Sequence, residues 1–332
     1  MTEQELLKRA DEFIEQNIEA MIKDIKEIVD IPSVTAPPAE GAPYGMELKR
    51  ALLKALEIGE RLGFETVNCQ NHMGYALLRG QREEYIGTIA HLDVVPAGNG
   101  WHTDPYDMVV KDGYLRGRGV IDNKGPLILT FYMAKFFKEL GEPLPYSLRM
   151  MAGCDEESGM RDVEYYIRHY EEPVFLFTPD SEFPLCNGEK GSLVGNITSR
   201  KFEDGSILDF QGGMAHNAVP DAAWAVIKGD ISQFPQAERI TISKEERGVR
   251  IDSVGIGGHA SHAEHTVNAI GVIADYLLKY HLVTEEEEQY LTMVSKLCQD
   301  YQGHGLGIQC DDGIFPPLSI IGGLLKREGG VM

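Results

Sequence analysis

Apolar residues in the first thirty positions recur at helical spacing. Leu6, Ala10, Phe13, Ile14, Ile18, Met21, Ile25 and Ile28 form one stripe. Thr2 and Glu5 have the spacing of a capping box that would open this helix, and Pro32 would close it. The stretch Thr35–Tyr44, rich in Pro, Gly and Ala, reads as a loop. A second helical stripe follows in Leu48, Leu52, Ala55, Leu56 and Leu62, with Gly63 as its stop. From Phe64 the period shortens. Strands are predicted at about 64–68, 73–78, 85–90, 146–152 and 174–177, with helices opening at Gly125-Pro126 and spanning 160–169. Residues 106–117 read as a hairpin turning at Lys111-Asp112-Gly113. The alternation predicts an α/β fold: a mostly parallel sheet flanked by helices, with ligand sites beyond the carboxyl ends of its strands.

Past Cys186 the pattern changes to an α+β style. Strands are predicted over 192–200, 206–211, 222–229 and 248–254, and a helix over 264–281. Another helix opens at Thr284, where Glu285–Glu288 suit a helix N-terminus. A boundary near Asn187–Lys190 divides the chain into domains 1–187 and 188–332.

The predicted strands of the first domain end on polar residues. Tyr85–Ala90 runs into His91-Leu92-Asp93, and Tyr146–Cys154 into Asp155-Glu156-Glu157. Val174–Phe177 runs into Thr178-Pro179-Asp180, and the glycine-punctuated GRGVIDNKG carries Asp122. Taken singly, His91 reads as a structural histidine, Asp122 and Asp180 as turn residues, and Glu156-Glu157 as an exposed acidic loop. Taken together they converge on one edge of one sheet, where adjoining like charges need a cation or a shared proton. One imidazole plus carboxylates suits Zn, Mn or Co rather than a thiolate site. A carboxylate two residues after His91 can accept the second imidazole N–H and fix the tautomer.

Composition narrows the partners. The 332 residues carry 52 acidic against 31 basic side chains, a formal charge of −21, which repels nucleic acid and anionic membrane surfaces. No apolar run reaches the ~20 residues of a membrane span, and the N-terminus lacks a signal-peptide core. Five scattered cysteines without a CxxC pair fit reduced thiols and a cytoplasmic location.

The order HLDVVP, GWHTDPY, GRGVIDNKGP, DEESG and TPDSEFP resembles the M20 metallopeptidases, with the dipeptidase V type as the nearest branch. The resemblance runs through the whole chain. It implies a zinc-peptidase-like catalytic domain and a lid of the dimerisation type, which makes a homodimer an expected assembly. It further implies that His91, Asp122, Glu157 and Asp180 hold two cations, that Asp93 orients His91, and that Glu156 activates a bridging water for dipeptide hydrolysis. A cis peptide is implied at Asp122–Asn123. In the second domain GHAS (258–261) resembles the motif that brings a histidine over the substrate, making His259 the oxyanion stabiliser. Ala263 and Thr266 depart from that motif, and His262 and His265 remain rivals. Asn217 resembles a substrate contact. An N-acyl amino-acid deacylase or desuccinylase of the same family is the alternative enzyme, and a non-catalytic hydrolase-like binding protein is the alternative class. The family's last ligand is a histidine from a C-terminal segment with no counterpart among these residues, so one weakened metal site and low or absent activity are expected of this polypeptide by itself.

Overall fold

The Thr2 hydroxyl accepts from the Glu5 N–H at 3.3 Å while the Thr2 N–H donates to the Glu5 carboxylate at 2.8 Å. This capping box opens α1 (Glu3–Val29) in the computed structural model, which describes residues 1–98, 100–181 and 184–332. Phe13, Met21, Ile25 and Ile28 of the predicted stripe are buried, whereas Ile14 and Ile18 face outward. Helix α2 (Met46–Arg61) buries Leu48, Leu52, Ala55 and Leu56, and the chain leaves it through Gly63 at φ +82°. Its left-handed backbone explains why glycine stops this helix.

The described residues fall into two units, Met1–Cys186 and Asn187–Met332. The first unit is built on a sheet of β1 (Glu65–Cys69), β2 (Met73–Leu78), β3 (Tyr85–His91), β6 (Ser147–Gly153) and β7 (Phe175–Phe177), in the order β1-β2-β6-β3-β7. Strand β3 pairs in parallel with β6 and β7, while β1, β2 and β6 pair antiparallel. Parallel pairing is therefore confined to the three strands that run into polar clusters. Between β3 and β6 lie the hairpin β4 (Val109–Lys111) and β5 (Tyr114–Arg116), then α3 (Lys124–Leu140).

The alternation along the strands makes two cores. Ala76, Ala90, Met150 and Ala152 face α1, α2 and α3 with Leu52, Ile58, Leu127 and Phe131. Tyr75, Tyr85 and Met151 on the opposite face meet Tyr166 of α4 (Arg161–His169). Arg149 crosses this second core, its guanidinium 3.8 Å from the Tyr85 ring centre and donating to the Tyr166 hydroxyl at 2.8 Å.

In the second unit, β8 (Ile207–Gly212), β10 (Ala222–Ile227), β11 (Ile240–Glu245), β12 (Gly248–Val254) and β14 (Leu325–Lys326) form an antiparallel sheet ordered β11-β12-β10-β8-β14. A separate pair joins β9 (Ala218–Val219) and β13 (Gly258–His259). Helices α5 (Ala269–Lys279) and α6 (Glu285–Gln299) share a core with Phe210, Ala225 and Ile251. Glu287 is fully buried because its carboxylate accepts from the Thr284 N–H and hydroxyl and from the N–H groups of Ser206 and Ile207.

Two expectations differ from the structure here. Residues 192–200, predicted as a strand, belong to none, and Leu193 is 95% exposed. Strand β11 went unpredicted because its sequence, ITISKE, buries only Ile240 fully, so apolar alternation is weak.

Candidate metal centre

The parallel register sets the site. His91 pairs with Gly153, so the end of β3 lies beside the turn that carries Asp155, Glu156 and Glu157. Strand β7, on the other flank of β3, runs towards Asp180. Asp122 arrives from the segment before α3, and the peptide bond to Asn123 is cis, as the resemblance implied. Gly125 is obligatory in that turn. A Cβ there would stand 2.0 Å from the Val120 carbonyl oxygen.

Five side chains converge. His91 Nε2 lies 2.9 Å from Asp122 Oδ1, 3.3 Å from Asp180 Oδ2 and 3.9 Å from Glu156 Oε2. His91, Asp122 and Glu157 form one group whose ligand atoms lie within 4.8 Å of one another, and His91, Glu156 and Asp180 form a second. His91 is buried, and the carboxylates are partly open to solvent. A buried base ringed by reachable acids is a donor set for a small cation: nitrogen and oxygen ligands and no sulfur.

Asp93 is the keystone beneath this group. It is fully buried, and its carboxylate accepts from the Glu156 N–H at 3.2 Å and the Glu157 N–H at 2.9 Å. His91 Nδ1–H donates to the Asp93 carbonyl at 2.9 Å, with the Asp93 carboxylate at 3.3 Å. Because Nδ1 faces oxygen acceptors, it carries the proton, and Nε2 is the nitrogen aimed at the carboxylates. Asp93 thus ties the end of β3 to the turn after β6.

The electrostatics express a demand for positive charge. Burial alone would push His91 down, but its hydrogen bonds with Asp122, Asp180 and Asp93 outweigh it and hold the imidazolium to about 12. Burial pushes Glu157 up to about 7, with Asp122 adding repulsion. Glu156 is raised by burial and by Asp180, Asp93 and Asp122 against the opposing pull of His91. Asp122 is lowered by its hydrogen bond with His91.

Several supporting residues carried no signal of their own in the sequence. Asn123 is fully buried and donates to Asp180 Oδ1 at 2.8 Å. Asp155 is fully buried and held by the Arg161 guanidinium through two contacts of 2.6 Å. Asp162 accepts the N–H groups of Cys154 and Asp155 at 2.6 and 3.2 Å. Lys124 is fully buried, and burial pushes its ammonium down to about 7. The usable hint was polar residues at positions whose apolar neighbours mark a core.

His259 and Asn217 belong to the second unit. His259, exposed on β13, has Nδ1 2.6 Å from the Ser261 hydroxyl, and that hydroxyl lies 2.8 Å from His262 Nδ1. Asn217 sits in the turn before β9, where its carbonyl accepts from the Ala260 N–H at 2.8 Å. Of the TPDSEFP motif, Glu182 and Phe183 lie outside the described residues.

The family model of peptidase family M20/M25/M40 matches residues 87–305. The chain belongs to this peptidase family. The M20 chain is 34% identical to the putative dipeptidase YtjP of Bacillus subtilis (strain 168), across 94% of its own length and 71% of that relative. It is 30% identical to the Beta-Ala-Xaa dipeptidase of Lactobacillus delbrueckii subsp. lactis, across 93% of its length and 69% of that protein. The crystal structure of human carnosine dipeptidase 1 matches 64% of the chain with a TM-score of 0.45 at 22% identity. The M20 chain spans 47% of that solved chain.

Proposed function

We propose that the chain acts as a metal-dependent dipeptidase, with Met1–Cys186 as its catalytic unit and Asn187–Met332 as a lid. What carries the reading is the convergence of His91, Asp122, Glu156, Glu157 and Asp180 in two overlapping groups that share His91. The dipeptidase names of the relatives at 34% and 30% identity supply the substrate class, a short peptide.

In this reading His91, Asp122, Glu157 and Asp180 hold two divalent cations, with Zn the first expectation and Mn or Co the alternatives. When bound, such cations supply Lewis acidity and bring the pKa of an attacking water towards neutrality. Asp93 keeps Nδ1 of His91 protonated, so Nε2 is the donor. Glu156 takes the proton from the water as it attacks the scissile carbonyl, then gives it to the departing amine. Its position suits that exchange: its backbone is pinned to Asp93, while its side chain, 40% exposed, reaches the group's edge. Burial, which raises its carboxyl, favours a group that both accepts and returns a proton. His259 is assigned the developing oxyanion and Asn217 a substrate contact. The reading extends to a homodimer in the cytoplasm.

The test is metal content and turnover of the purified chain on a dipeptide panel, with N-acyl amino acids as the competing substrates. Glu156→Gln is expected to keep the metal and lose about 10²- to 10⁴-fold in turnover, the scale of a general base. Turnover equal to wild type in that variant removes Glu156 from its role. Preference for N-acyl amino acids replaces the dipeptidase by a deacylase.

A further inference from the structure

The connector between α1 and α2 is bonded to every segment that delivers the metal-centre residues except the one after β7. The Ser33 hydroxyl, fully buried, donates to the Leu92 carbonyl at 2.5 Å, and the Ser33 carbonyl accepts from the Val94 N–H at 3.1 Å. These two bonds grip the peptide on either side of Asp93. The Lys124 ammonium, also fully buried, donates to the Ile31 carbonyl at 2.7 Å, two residues beyond Asp122. The Ile31 carbonyl is shared with the Ser33 N–H at 2.8 Å. Thr35 Oγ1 accepts from the Ser158 hydroxyl at 3.0 Å, next to Glu157.

The connector therefore has separate holds on the His91-Leu92-Asp93 end, on the Asp122 turn and on the Glu156-Glu157 turn. These holds are polar bonds, and the buried ones, at Ser33 and Lys124, cost the chain desolvation of a polar group. We propose that residues 31–35 form a positioning strap, with Ser33 and Lys124 as the positioning residues that fix the spacing of His91, Asp122 and Glu157 for cation binding. This rests on the metal-centre reading above. Ser33 acts through Asp93, whose carboxylate holds the N–H groups of both glutamates. A slackened strap would widen the ligand set while the sheet and helices stay folded.

The experiment is titration of the full chain, freed of metal by chelation, with Co(II), reading the dissociation constant and the visible ligand-field spectrum. Ser33→Ala is expected to retain the wild-type far-ultraviolet circular dichroism, weaken Co(II) about tenfold or more, and alter the spectrum. Ser33→Thr, which keeps the hydroxyl, is expected to recover most of both. Thr35→Val, at a partly exposed site, is expected to weaken Co(II) about threefold, the effect of one modest hydrogen bond. It decides the matter if Ser33→Ala does not fold. Wild-type affinity and spectrum in the folded Ser33→Ala variant, or in Thr35→Val if that variant has to decide, overturn the strap alone. Failure of the wild-type chain to bind Co(II) overturns the metal-centre reading and the strap with it.

Discussion

At the scale of the residue, the metal centre is a charge problem that the protein solves in two exchangeable ways. Glu157, held near 7, is raised above the ordinary carboxylate range, so its contribution to stability is present at low pH and lost as pH rises through about 7. His91, held near 12, contributes stability fully present below about pH 6.5 and lost progressively above it. Asp122 works the other way, but its lowered carboxyl matters only in acid. The sum predicts that the chelated chain loses thermal stability steadily between about pH 5 and pH 9. Divalent cations should reverse the trend, because they replace the protons of His91 and Glu157 and bind more tightly as those protons leave. Melting temperatures with and without excess Mn(II) should therefore diverge as pH rises. A gain from Mn(II) that is equal or larger at pH 5.5 than at pH 8.5 would contradict this account.

At the scale of the element, the turn between β5 and α3 is the least forgiving piece of the first unit. The N–H groups of Lys124 and Gly125 both reach the Gly119 carbonyl, at 3.0 and 3.3 Å, which folds the GRGVIDNKG segment onto itself. Gly125→Ala would drive a methyl into the Val120 carbonyl and should cost about 1–3 kcal/mol in urea unfolding of the metal-free chain. Gly113→Ala, at φ +81° in the β4–β5 turn with open space around it, should cost only the backbone penalty of about 1 kcal/mol. Equal stability of the two variants would mean that the Asp122 turn can open without cost. The same segment shows what was legible. Pro126 announced the start of α3, though its buried face is Leu127, Ile128 and Phe131 while Leu129 is 50% exposed, and the strand ends announced His91, Asp122, Glu156, Glu157 and Asp180. The strap was not legible, because Ser33 lies in a connector marked only by Pro32 and by the loop composition of Thr35–Tyr44, and nothing in the sequence singles out Lys124. Long-range polar bonds leave no periodic trace. The expected strand over 192–200 shows the converse: the apolar run is there, yet its Leu193 side chain is left in solvent.

At the scale of the whole molecule, two features oppose each other. Among the described residues strand β7 is the last of its sheet, and Phe175, Leu176 and Phe177 are 60%, 44% and 40% exposed. An apolar edge with unpaired backbone groups is a template for association with another chain. The formal charge of −21 resists that association. Salt screens charge but leaves the apolar edge intact: the Debye length falls from ~10 Å at 0.1 M to ~3 Å at 1 M. Sedimentation velocity should therefore show heavier species growing as sodium chloride rises from low salt to near 1 M, at fixed protein concentration. Phe175→Glu, which places a charge on the edge itself, should suppress the growth while leaving the melting temperature of the monomer near the wild-type value. If association is already complete at low salt and indifferent to Phe175→Glu, the contact lies elsewhere on the molecule, and the edge of β7 is not what brings the chains together.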